Sequence, residues 1–124
     1  MLTADFTIKR SDVGKTISGQ FQDANGDPIN CFGATAPKFF LREYGGLNIV
    51  IIDGAAFIFS DATNGKFAYT FTSNDLNAMQ PNPRGDAFFK GEFRTTLQGG
   101  VVMTTPTDPI RPFLIIKFEH DLSD

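Results

Sequence analysis

The sequence predicts an all-β protein: a single antiparallel sandwich of about seven to nine short strands. Three observations carry that prediction. Apolar residues recur with a period of two in segment after segment, which marks strands with one face buried. Turn pairs bearing glycine or asparagine separate those segments at intervals of about 8–12 residues. Fourteen Phe in a 124-residue chain that is 41% hydrophobic supply the apolar volume for one core.

The elements follow in order. DFTIKR (5–10) reads as the first strand, and in KTISGQFQ (15–22) Ile17, Gly19 and Phe21 alternate with Thr16, Ser18, Gln20 and Gln22. PKFFLREY (37–44), LNIVII (47–52) and AAFIFS (55–60) come next. In KFAYTFT (66–72) Phe67, Tyr69 and Phe71 face one way, and Lys66, Ala68, Thr70 and Thr72 the other. FKGEFRTTL (89–97) repeats the beat, with Phe89, Gly91, Phe93 and Thr95 on one side. VVMTT (101–105) and FLIIKFEH (113–120) complete the set. Asn25-Gly26, Gly45-Gly46, Asp53-Gly54, Asn64-Gly65 and Gly99-Gly100 supply the turns, since Gly and Asn tolerate positive φ.

One short helical turn is expected near 73–78, capped by Ser73 and ended by Pro81 and Pro83. TPTDPIRP (105–112) cannot be a central strand, because Pro106, Pro109 and Pro112 donate no ladder hydrogen bond. It reads as an exposed loop or edge. A closed barrel is the alternative architecture.

Composition narrows the function classes. A net charge of −3 and a pI near 5.0 argue against a duplex-binding protein, which needs a basic face. Cys31 is the lone cysteine, so no intrachain disulfide or multi-cysteine zinc site forms; it reads as a small buried residue. A nucleophilic role would need a base, and His120 is the sole histidine. The N-terminus MLTADFTIKR has no apolar signal region, and IVIIDGAAFIF (49–59) is broken by Asp53 and Gly54 well short of the ~20 residues that span a bilayer. A soluble protein made in the cytosol is expected, with no membrane or nucleic-acid partner.

Chemical motifs are sparse. Asp23-Ala24-Asn25-Gly26-Asp27 puts oxygen ligands at positions 1, 3 and 5 of a calcium loop, but position 6 is Pro28 and position 12 is Ala34. A turn is the better reading, with Gly26 at positive φ and Asp23 bonding local amides. Gly14-Lys15-Thr16 ends like a phosphate loop, yet Lys9 stands where the first glycine belongs and a strand follows. Carboxylates are scattered among turns and outward positions, and neither GxSxG nor HExxH occurs. No enzyme, cofactor or metal is expected.

The adjacent pairs Phe39-Phe40 and Phe88-Phe89 must each put one ring on either face of their strand. With Tyr44, the outward members make an apolar patch that either a partner or the second sheet covers.

Several stretches together resemble the immunoglobulin-like N-terminal domain of phage baseplate upper proteins and related short phage tail proteins. The carriers are Lys9 to Asp12, the alternating strand Ile17 to Gln22, the turn Asp23/Gly26/Pro28, Gly33-Ala34-Thr35, and Phe39 to Arg42. DATNGKFAYTFTSNDL (61–76) and GEFRTTLQGGVVMTTP (91–106) extend the resemblance over nearly the whole chain. The chain departs from those proteins by stopping at HDLSD, without a long C-terminal region, which suggests a free-standing accessory subunit.

The resemblance implies an immunoglobulin-like sandwich over 1–124, with a short N-terminal arm and a C-terminal tail, acting as a non-enzymatic virion subunit. It would dock in many copies, or as a homo-oligomer, on tail, baseplate or capsid proteins. Contacts are expected from the arm (Leu2, Phe6), the outward rings Phe40, Tyr44 and Phe88, the proline loop (Pro106, Pro109, Ile110, Arg111, Pro112) and the tail (Leu122). The rival is a carbohydrate-binding module using Tyr44, Phe40 or Phe88.

Overall fold

The computed structural model describes residues 4–45, 48–79, 87–106 and 113–119. Nine strands are described: β1 (Phe6–Lys9), β2 (Thr16–Gln20), β3 (Thr35–Glu43), β4 (Val50–Ala56), β5 (Ile58–Asp61), β6 (Lys66–Thr70), β7 (Ala87–Thr96), β8 (Val102–Thr105) and β9 (Leu114–Glu119). A 3-10 turn spans Ala62–Asn64, and helix α1 spans Ser73–Met79. The larger sheet runs β1-β9-β7-β3-β4, with β8 also paired to β7; the smaller runs β2-β6-β5. Neither sheet closes on itself, so the protein is the two-sheet sandwich and not the barrel.

Alternation decides what lies between the sheets. Phe39 and Leu41 of β3, Phe89 and Phe93 of β7, and Ile116 and Phe118 of β9 are all buried. From the smaller sheet Ile17, Phe67 and Tyr69 face them. Rings bridge the gap: Phe93 lies 4.4 Å from Phe67 and Phe39 lies 4.8 Å from Tyr69, centroid to centroid. Helix α1 adds Leu76 and Met79 to the same core. Thr95, the buried polar residue of β7, is satisfied because its hydroxyl donates to the Thr35 carbonyl at 2.9 Å.

Three local expectations need correction. Asp53-Gly54 is not a hairpin turn: β4 runs through it, with Phe40 opposite Asp53 and Phe39 opposite Ala55. Gly54, at φ +85°, is the extra residue of a bulge, and the bulge absorbs the positive φ without reversing the chain. The break falls instead at Phe57, where the chain leaves the larger sheet for the smaller.

Secondly, Ser73 is not the cap of α1. Thr72 is, since its Oγ1 accepts from the Asp75 amide at 3.2 Å while Asp75 Oδ2 accepts from the Thr72 amide at 3.0 Å. Thirdly, the larger sheet is not wholly antiparallel, because β1 pairs with β9 in parallel. Asp5 fixes that entry: its amide donates to the Ile115 carbonyl, and its carboxylate accepts from the Ile115 amide, both at 2.8 Å.

Candidate functional site

The site is built on the face of the larger sheet that points away from the core. Along β3 the outward positions are Lys38, Phe40 and Arg42, with Tyr44 just past the strand's end and its amide bonded to the Phe88 carbonyl; along β7 they are Phe88, Lys90, Glu92 and Arg94. Phe39 and Phe89 are fully buried, whereas Phe40 and Phe88 are only half-buried, so each pair is split as the alternation requires. Phe40, Tyr44 and Phe88 therefore share one surface. The register brings Lys117 beside Phe88 and Asp53 beside Phe40.

Sequence reasoning missed what the cations do there. The Arg94 guanidinium lies 4.7 Å from the Phe40 ring centre, Lys90 Nζ 5.7 Å from Phe113, and Lys117 Nζ 6.0 Å from Phe88. Tyr44 meets the same Phe113 edge-on at 5.9 Å. Arg94 is also held by Glu92 at 3.1 Å, and Lys117 by Glu119 at 3.1 Å. Between Phe40 and Phe113 a shallow groove of about 420 Å³ opens, lined also by Arg42, Asp53, Lys90 and Glu92.

The charge on this face opposes that of the chain. Six cations (Lys9, Lys38, Arg42, Lys90, Arg94, Lys117) stand against three carboxylates (Asp53, Glu92, Glu119). The whole chain has eleven Lys and Arg against fourteen Asp and Glu. Among the described strand positions the face is thus +3, on a chain of −3. The signal was available as Lys38-x-x-x-Arg42 and Lys90-x-x-x-Arg94, both in phase with the strand period, but only the pairing of β3 with β7 adds them together.

The other expected contact residues lie elsewhere. Phe6 belongs to β1 and stacks on Phe71 at 5.9 Å beneath the Lys15 amine, so it is part of the sheet and not of a free arm. Pro106 is half-buried directly after β8. Leu2, Pro109, Ile110, Arg111, Pro112 and Leu122 lie outside the described residues, as does His120.

The residues weighed for chemistry keep their plainer readings. Cys31 is buried, and burial pushes its thiol pKa up, which is the opposite of activation. Gly14 sits in a turn at φ +91°, and a strand follows Lys15. In the loop at 23–27, Asp23 Oδ1 accepts from the Asn25 and Asp27 amides at 2.9 and 3.0 Å, and Gly26 takes φ +83°. Asp23 therefore spends its carboxylate on shaping the turn. Among the described residues no three His, Cys, Asp or Glu side chains gather as a metal site would require. No described helix is long and apolar enough to cross a membrane. Comparison of the chain with protein-family models and with curated proteins finds no match.

Proposed function

We propose that this chain is a structural subunit of a phage virion, docking in many copies on tail, baseplate or capsid proteins without catalysing a reaction. The supporting observation is the outer face of the larger sheet, which concentrates rings and arginines. Aromatic residues and Arg are the side chains enriched at the centres of protein interfaces. The resemblance to baseplate upper protein domains supplies the assembly. Strand edges that no other described strand pairs add a second means of attachment. The β4 edge carries exposed Val50 and is followed by exposed Ile58, with Asp53 as its only charge.

Quantitative mass spectrometry of purified particles tests the reading, with and without a deletion of residues 105–112 or of the terminal segments. Stoichiometric incorporation of the intact chain is expected, with loss in at least one deletion. Absence of the intact chain, or unchanged incorporation of every deletion, sinks it.

The exposure of Tyr44 on the same face favours a second reading, a carbohydrate-binding module. Glycan-array binding that disappears in Tyr44→Ala would replace the first reading with this one.

A further inference from the structure

The outer face has a counterpart on its own molecule. Three of its rings already carry a cation, Arg94 over Phe40, Lys90 over Phe113 and Lys117 over Phe88. A stacked base or sugar needs an open ring face, so these rings are occupied as supports for the charges above them. The groove therefore selects by charge, and it suits carboxylates carried on a protein surface.

That surface is present at one end of the sandwich. Here Asp23–Asp27 leads out of β2, and the turn after Cys31 is tied in by the Cys31 amide donating to the Ala62 carbonyl at 2.7 Å. Phe32, in this turn, is 71% exposed, the highest value among the large apolar side chains described. Asp27 is exposed, and its carboxylate has no hydrogen bond or ion pair among the described residues. Asp23 holds the turn that presents it.

Like faces repel, because a symmetric contact would set a net charge of +3 against +3 among the described strand positions. A contact between the outer face and this acidic end of another copy matches opposite charges and leaves a free face and a free end at the two extremities, so it propagates. The net charge of −3 opposes it only weakly, since exposed charges are screened beyond about 8 Å at physiological salt.

We propose that the Asp27/Phe32 end of one copy seats on the Lys90/Arg94 groove of a second copy, joining subunits head to tail. This rests on the docking reading and names the partner as the chain itself.

Sedimentation velocity on the full chain tests it at about 0.05 M and about 0.5 M salt. Expected at low salt is concentration-dependent association that grows past the dimer and falls at high salt. Lys90→Glu/Arg94→Glu and Asp27→Lys are each expected to be monomeric, and Phe32→Ala to weaken association about tenfold, as loss of an aromatic anchor does.

The two charge variants, mixed, are expected to form a one-to-one dimer, since each retains the surface that the other lacks. A misfolded variant would not complement. A monomeric wild type, a closed dimer insensitive to salt, association untouched by either charge variant, or a mixture that stays monomeric overturns the proposal. A chain incorporated into particles yet monomeric in solution defeats this inference alone. A chain that associates yet is missing from particles defeats the virion reading alone.

Discussion

Tyr69 shows how much a single hydroxyl can add to a hydrophobic core. Its ring packs between the sheets, and its Oη donates to Asp75 Oδ2 at 2.6 Å. Burial and the adjacent carboxylate push its pKa well above the ordinary 10.0. The folded protein therefore retains this proton after the unfolded chain has lost it. The stabilisation is complete below pH 10 and is lost as pH rises beyond it. A thermal-midpoint series into the alkaline range is expected to fall more steeply for wild type than for Tyr69→Phe. At neutral pH the variant is expected to lose about 1–2 kcal/mol.

Gly19 makes the opposite point, since its worth is an absent atom. A Cβ there would stand 2.7 Å from the tip of the Phe67 ring, which is itself packed against Phe21, Phe57 and Phe93. Gly19→Ala is expected to cost about 1–3 kcal/mol by urea unfolding. Gly91→Ala, whose nearest neighbour is 3.2 Å away, is expected to cost less.

Among elements, helix α1 gives the sharpest contrast between neighbouring residues. Thr72 and Asp75 exchange hydrogen bonds across its first turn, whereas Ser73 is simply its first residue. Thr72→Ala is expected to lower unfolding free energy by about 1 kcal/mol, and Ser73→Ala to leave it nearly unchanged, in the same denaturant titration. The element itself was legible from its sequence, and the cap was misread by one residue because Thr72 and Ser73 are chemically alike as caps. β4 was misread for another reason. Asp53-Gly54 has hairpin chemistry, and only pairing with β3 turns it into a bulge. Asn64-Gly65 did close its hairpin. There a Cβ would meet the Ile29 carbonyl oxygen at 2.6 Å, so the left-handed Gly65 is required by both φ and space.

At the scale of the whole molecule, cohesion rests on rings that touch both sheets. Phe93 contacts Phe39 within its own sheet at 4.5 Å, Phe67 across the gap at 4.4 Å, and Phe57 at 5.4 Å where the chain changes sheet. Phe93→Ala is expected to cost about 3–5 kcal/mol, a large part of the ~5–15 that holds such a protein together. Circular dichroism and core fluorescence melts are expected to fall together, since the cavity weakens both sheets at once. The same global arrangement creates the polarity of the surface. Four adjacent strands of the larger sheet, β1, β9, β7 and β3, each contribute one or two outward cations, which mean little singly and together make a face of sign opposite to the chain.

By itself the sequence determined the all-β class, the turn that Asp23 and Gly26 shape, the burial of Cys31, and which ring of each Phe pair points outward. These follow from rules that reach only a few residues: a period of two, positive φ at glycine, and a carboxylate bonding its own backbone. The tertiary structure alone decided the parallel seat of β1 on β9, the bulge at Gly54, the passage between sheets at Phe57, and the laying of Arg94, Lys90 and Lys117 over their rings. Each of these is a contact between segments distant in the chain. Local chemistry sets which way a side chain points, and strand pairing sets what it meets.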